Sequence, residues 1–136
     1  MNLKLYKTAI LFLQHPQAIE AIHTVLSKRK WVKVKGIFTD PNNCWQTLEK
    51  ERPDVFFFDY YTPQSYPMVN RIVATMPHTK NIAVSILWAG AKTSLLGMNG
   101  VAGYVYTEME PDDMLDIFDQ IMRGERVFAG QRFKNI

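Results

Sequence analysis

Several things that would announce a function are scarce in this sequence. Of its 136 residues one is cysteine, Cys44, which excludes a disulfide framework or a cysteine-based zinc site within one chain and fits a reducing compartment. No apolar segment approaches the roughly 20 residues of a membrane span. The N-terminal run to Leu13 has too short an apolar stretch, and no small-residue cleavage pattern, for a signal peptide, so a cytoplasmic protein is expected. Charge is not concentrated in one sign: 16 Lys and Arg against 13 Asp and Glu leave +3. The basic groups Lys28-Arg29-Lys30 with Lys33 and Lys35, and Arg123, Arg126, Arg132 and Lys134, read as solvated surface. Neither a recognition helix nor an aromatic-lined basic groove accompanies them, so no direct nucleic-acid contact is expected. No glycine loop follows the first apolar run, where Leu13-Gln14-His15-Pro16 stands instead. A flavin or nucleotide enzyme therefore finds little support, and no nucleophile and base can be paired from spacing. His23 and His78 show no ligand spacing, and no metal site is expected.

What is present is an ordinary globular balance, 47% hydrophobic and 21% charged, which predicts one ordered domain over residues 1–129, with residues 130–136 as a tail or the start of a linker. Five apolar runs of strand length alternate with five helical patterns. Residues 8–13 form the first strand, and Pro16 opens a helix marked by Ile19, Ile22, Val25 and Leu26. Residues 31–38 alternate apolar with basic side chains, the pattern of a strand with one exposed face near a sheet edge. Asp40-Pro41 is an N-cap followed by proline, opening a helix through Cys44, Trp45 and Leu48. The third strand, residues 55–58, is followed by a helix carrying Val69, Ile72, Val73 and Met76. Residues 81–88 are the fourth strand and residues 101–106 the fifth. Between them residues 89–100 form a weak helix, since its glycines lower helix propensity by about 1 kcal/mol each. Glu110-Pro111-Asp112-Asp113 starts a last helix whose stripe is Met114, Ile117, Phe118 and Ile121. Strands joined by helices demand a parallel α/β sheet covered on both faces. The edge character of the second strand favours a five-stranded flavodoxin-like order, 2-1-3-4-5.

The stretch Pro53-Asp54-Val55-Phe56-Phe57-Phe58-Asp59 is the centre of this arrangement. Its apolar run reads as a strand buried on both faces, and a carboxylate ends it. In open parallel sheets the carboxyl ends of the strands face the ligand crevice, so Asp59 is the residue to explain, whether as chemistry or as a turn cap.

The chain resembles the receiver domain of bacterial two-component response regulators from about residue 6 to 129. The residues that carry the resemblance are Gln14-His15-Pro16 after the first strand, Pro53-Asp54-Val55 leading to Asp59, Pro63 four residues later, Ser85 ending the fourth strand, and Gly100-Val101-Ala102-Gly103-Tyr104-Val105-Tyr106. The stretch Ile121-Met122-Arg123-Gly124-Glu125-Arg126-Val127-Phe128 resembles the subgroup that carries a LuxR-type helix-turn-helix output domain. The resemblance implies a phospho-acceptor at Asp59, a phosphate-contacting hydroxyl at Ser85 and a switch aromatic at Tyr104. It also implies a histidine kinase or output protein as partner, and an output or dimerisation face on the fourth helix, fifth strand and fifth helix, where Met98, Val101, Tyr104 and Tyr106 could add either contact area or core.

Three features depart from that family. Its acidic metal-binding pair is Leu13-Gln14 here, and its lysine is Thr107. After Pro63 the usual glycine turn is replaced by Gln64-Ser65-Tyr66-Pro67. Magnesium wants hard oxygen ligands, so its binding is expected to be weak or absent. Losing one strong electrostatic partner costs about 2.7–4 kcal/mol of barrier stabilisation, so with two lost, phosphoryl transfer is expected to be slow or absent. A retained Asp59 then needs hydration, turn amides or a cation such as His15 to offset its burial. Two readings follow: a degenerate receiver acting as an interaction or dimerisation module, not an enzyme, that controls transcription through a missing or separate output domain; or a working phospho-receiver accepting phosphate on Asp59.

Overall fold

The computed structural model describes residues 5–88 and 98–130. Six parallel strands form one sheet in the order β2-β1-β3-β4-β5-β6. In chain order these are β1 (Lys7–Phe12), α1 (Pro16–Ser27), β2 (Val32–Phe38), α2 (Pro41–Glu51), β3 (Val55–Asp59), α3 (Ser65–Thr75), β4 (Lys80–Ser85), β5 (Val101–Tyr106), α4 (Pro111–Met122) and β6 (Val127–Phe128). The expected α/β class and the order 2-1-3-4-5 are therefore present, with a sixth short strand beyond β5. The fourth strand ends at Ser85 instead of residue 88. Most of the expected weak helix, residues 89–97, lies outside the described residues, and α4 corresponds to the last expected helix.

The central strand sets the two layers. All five residues of β3 are buried, and successive side chains leave opposite faces of the sheet. Phe57 faces α1 and α4, its ring centroid 6.1 Å from Phe118. Phe56 and Phe58 face the other way and stack on each other at 6.3 Å. Phe58 also meets Tyr66 of α3 edge to face. Each of these phenylalanines contributes roughly 1.5–3 kcal/mol by burial, so the strand that carries Asp59 is anchored from both sides. On the Phe57 face α1 packs against α4, and Arg29 forks onto Asp119 through Nε at 3.1 Å and Nη2 at 2.6 Å. That fork raises the Arg29 pKa above its ordinary value, the hydrogen bond to Asp119 being the main cause.

Local sequence explains the ends of the elements. The Asp40 carboxylate accepts the Asn42 and Asn43 amides at 2.8 and 3.1 Å, capping α2 and satisfying N–H groups that the helix leaves unpaired. The edge strand β2 exposes Lys33 and Lys35 on its polar face, which discourages pairing with a further strand. At the opposite edge β6 can pair with β5 because residue 103 is glycine: a Cβ there would stand 2.2 Å from Ile121 Cδ1 and 2.7 Å from the Val127 carbonyl oxygen.

Candidate functional site

Asp59 ends β3 and is 5% exposed. Its carboxylate is held by two backbone amides, one per oxygen. Tyr61 N–H donates to Oδ1 at 3.0 Å, and Gln14 N–H donates to Oδ2 at 3.2 Å. The first bond is the turn-capping geometry expected of Asp; the second comes from the loop after β1 and exists only because β1 and β3 are neighbours. Hydrogen bonds to a charged group are worth about 1.5–3 kcal/mol each, so these amides offset much of the cost of burying the carboxylate. The Asp59 backbone is fixed as well, its carbonyl accepting from the Ser65 hydroxyl at 2.8 Å.

Of the positions that depart from the receiver pattern, Leu13 is fully buried in the core, its amide donating to the Phe38 carbonyl at 3.2 Å. Gln14 sends its side-chain amide away from Asp59 to the Thr39 carbonyl, at 2.9 Å. Thr107 donates its hydroxyl to the Ile86 carbonyl at 3.1 Å and its amide to the Ser85 carbonyl at 2.9 Å. All three residues hold neighbouring backbone or core together.

Ser85 and Tyr104 are joined to each other. The Ser85 hydroxyl donates to the Leu87 carbonyl at 2.6 Å and lies 2.7 Å from the Tyr104 hydroxyl. Serine has one proton to give, so in this arrangement Tyr104 is the donor between them. Tyr104 is 1% exposed and packs between Tyr60 at 5.8 Å and Tyr106 at 6.4 Å. No hydrogen bond runs from Ser85 to Asp59 among the described residues.

The remaining expected residues sort plainly. His15 is exposed and lines a cavity of about 170 Å³ together with Ala18, Asp59, Tyr61, Ile86 and Leu87, but forms no ion pair with Asp59 among the described residues. His23 is exposed on α1, and His78 reaches the Arg52 carbonyl at 3.3 Å. Among the described residues no group of three or more His, Cys, Asp and Glu side chains could hold a metal ion. Of the residues expected on an output face, Val101 and Tyr104 are core, and Met98 and Tyr106 are half-buried. The contact area they could add is correspondingly reduced.

Sequence reasoning did not anticipate Tyr66, whose hydroxyl donates to the Tyr60 carbonyl and so closes the loop after Asp59. Burial first, with smaller contributions from the neighbouring Tyr60, Asp59 and Tyr61, pushes its phenol up to about 12. It also missed the Gln14 amide and the Leu87 carbonyl, both backbone groups without a residue-type signal.

With this geometry described, comparison with solved structures identifies a receiver-domain fold. The isolated receiver domain of RcsB from Salmonella enterica serovar Typhimurium, in the presence of the phosphomimetic BeF3-, superposes with a TM-score of 0.78 over 92% of this chain and 94% of that one, at 20% identity. The non-phosphorylated receiver domain of the stress response regulator RcsB from Escherichia coli gives 0.76 over 91% and 98%, also at 20% identity. A LuxR-family two-component response regulator from Aurantimonas gives 0.78 over 93% and 91%, at 16% identity. The chain covers 64% of the RcsB chain seen as dimers bound to DNA. No protein-family model and no curated protein matches the sequence.

Proposed function

We propose that this receiver fold serves in signal transduction as a regulatory protein-interaction module, whose state is set by a partner and not by magnesium-dependent phosphorylation of Asp59. The observation that carries this reading is the fate of the two positions beside Asp59. Leu13 is committed to the core and the Gln14 side-chain amide to Thr39, which leaves Asp59 as the one carboxylate at the crevice among the described residues. Magnesium keeps near-octahedral oxygen coordination built on carboxylates and phosphate, and this donor set does not fit it. The Thr107 hydroxyl is likewise spent on Ile86, and a threonine cannot supply the cationic charge that offsets developing charge on a transferred phosphoryl group.

The module is read as a binding protein and not an enzyme. Its neighbours in fold include RcsB structures on DNA, which supports a role in transcriptional control, exerted through an output domain. Self-association through the segment before β5, β5 and α4 belongs to the same proposal. No described helix is long and apolar enough to cross a membrane; a cytoplasmic location is part of the same proposal.

A second reading keeps Asp59 as a phospho-acceptor served by a histidine kinase, and is favoured by the presence of Ser85 at the end of β4 and of Tyr104 within β5. Intact mass after incubation with acetyl phosphate and Mg²⁺ separates the two. The proposal expects no adduct on the folded wild type under conditions that label an ordinary receiver; an adduct that disappears in Asp59→Asn overturns it.

A further inference from the structure

The crevice beside Asp59 contains a negative charge that no described side chain neutralises. The two amides occupy one site on each oxygen, whereas an ionised carboxylate offers about four acceptor positions. The ion pairs among the described residues lie elsewhere, at Lys28–Asp112, Arg29–Asp119 and Arg123–Glu125. The adjoining cavity of about 170 Å³ is below the roughly 300–1,000 Å³ of small-molecule sites. It has room for about five waters, or for one long side chain.

Among the described residues its mouth is lined by His15 and by apolar side chains. Tyr61 is 66% exposed and Leu87 59%, both lining the cavity. Large apolar side chains grouped around a recessed charge are the anatomy of a protein-binding anchor, in which a desolvated polar centre is shielded by an apolar rim. Charge fixes the sign of the occupant. A phosphate or carboxylate would meet Asp59 repulsively, and a divalent ion would lack the carboxylates that Leu13 and Gln14 do not supply.

We propose that this crevice is a socket for a basic side chain, arginine or lysine, of a partner protein, whose flanking apolar residues lie across Tyr61 and Leu87. The proposal rests on the reading of the fold as a partner-controlled module and names the partner's chemistry. The cation supplies in trans the positive charge that Thr107 does not supply in cis. A planar guanidinium can in addition stack on Tyr61. Occupancy has a route inward, because the Leu87 carbonyl behind the rim accepts the Ser85 hydroxyl, which is bonded to Tyr104.

The test is selection of a randomised heptapeptide display library on the full chain, followed by titration of the selected peptides into isotope-labelled protein. Expected are peptides with Arg or Lys beside aliphatic or aromatic residues, which shift the Gln14 and Tyr61 amide resonances. They should bind Asp59→Asn roughly 30-fold more weakly, as for a buried charge pair that loses one partner. Leu87→Lys, at an exposed position, keeps the fold and should weaken the same peptides by like-charge repulsion. Selected peptides without a basic residue, peptides that bind wild type and Asp59→Asn equally, or a library without any Asp59-dependent binder overturn the socket. Failure here with no phosphoryl adduct in the mass experiment removes the socket and leaves the partner-controlled module standing. An adduct on Asp59 removes the module reading itself.

Discussion

Removing the Tyr104 hydroxyl tests whether Ser85, Tyr104 and the loop at Leu87 act as one unit. Tyr104→Phe retains the ring between Tyr60 and Tyr106 and deletes the buried hydrogen bond of 2.7 Å to Ser85, together with a longer contact of 3.5 Å to the Leu87 carbonyl. A net loss of about 1 kcal/mol is expected. For a chain of 136 residues that corresponds to a fall of about 3–4 °C in Tm. Ser85→Ala removes the same bond and also takes the 2.6 Å donor from the Leu87 carbonyl, so it should cost more, about 1–3 kcal/mol. Because both substitutions delete the bond they share, the double variant should be less destabilised than the sum of the two, by about 0.5–1.5 kcal/mol. Urea unfolding of the four proteins at one pH measures each term, provided the slopes agree. A Tyr104→Phe variant as stable as the wild type, or a double variant whose loss equals the sum, refutes the claim that the two hydroxyls are coupled.

Gly103→Ala should destabilise by about 1–3 kcal/mol, because the new methyl meets Ile121 and the Val127 carbonyl; amide exchange should rise at Ala129, whose N–H donates to the Tyr104 carbonyl at 2.8 Å, and unchanged exchange there would contradict the packing argument. Cys44 is fully buried, and burial pushes its thiol up to about 12 from an ordinary 9.0. The folded state therefore keeps a proton that the unfolded state releases, and stability should fall as pH rises from about 9 toward 12. The urea midpoint should drop between pH 8 and 10 by more in the wild type than in Cys44→Val, and an aromatic disulfide reagent should label Cys44 only after unfolding. Labelling at the native rate of a free thiol would show the site to be open.

The architecture was legible because its signals are local. Each of the first five strands carries an apolar run, and each described helix a 3.6-residue stripe. The alternation of Lys33 and Lys35 with apolar neighbours gave away the edge position of β2. The sixth strand escaped notice since Val127–Phe128 is two residues long and pairs only where Gly103 lets the chain come close. Residues 86–88 looked like strand because Ile86, Leu87 and Trp88 are apolar. The sheet ends at Ser85 instead, where its hydroxyl turns back to the Leu87 carbonyl and Leu87 and Trp88 emerge into solvent.

Asp59 could be singled out from residue type and position, and Leu13, Gln14 and Thr107 by resemblance. What these residues do is a matter of partners far away in the chain. The Gln14 amide meets Asp59 across 45 positions and the Gln14 side chain meets Thr39 across 25, contacts that depend on strand order and loop path and leave no mark in composition or periodicity. Backbone amides and carbonyls are the same at every residue, so the bonds that hold the Asp59 carboxylate and the Leu87 loop became visible only in three dimensions. Hydrophobic spacing, a property of the chain read along its length, was sufficient for the layers, the sheet order and the place of the crevice. The packing of loops from different strands settled which polar groups were already occupied there and left, among the described residues, one carboxylate in a crevice lined by His15, Tyr61 and Leu87.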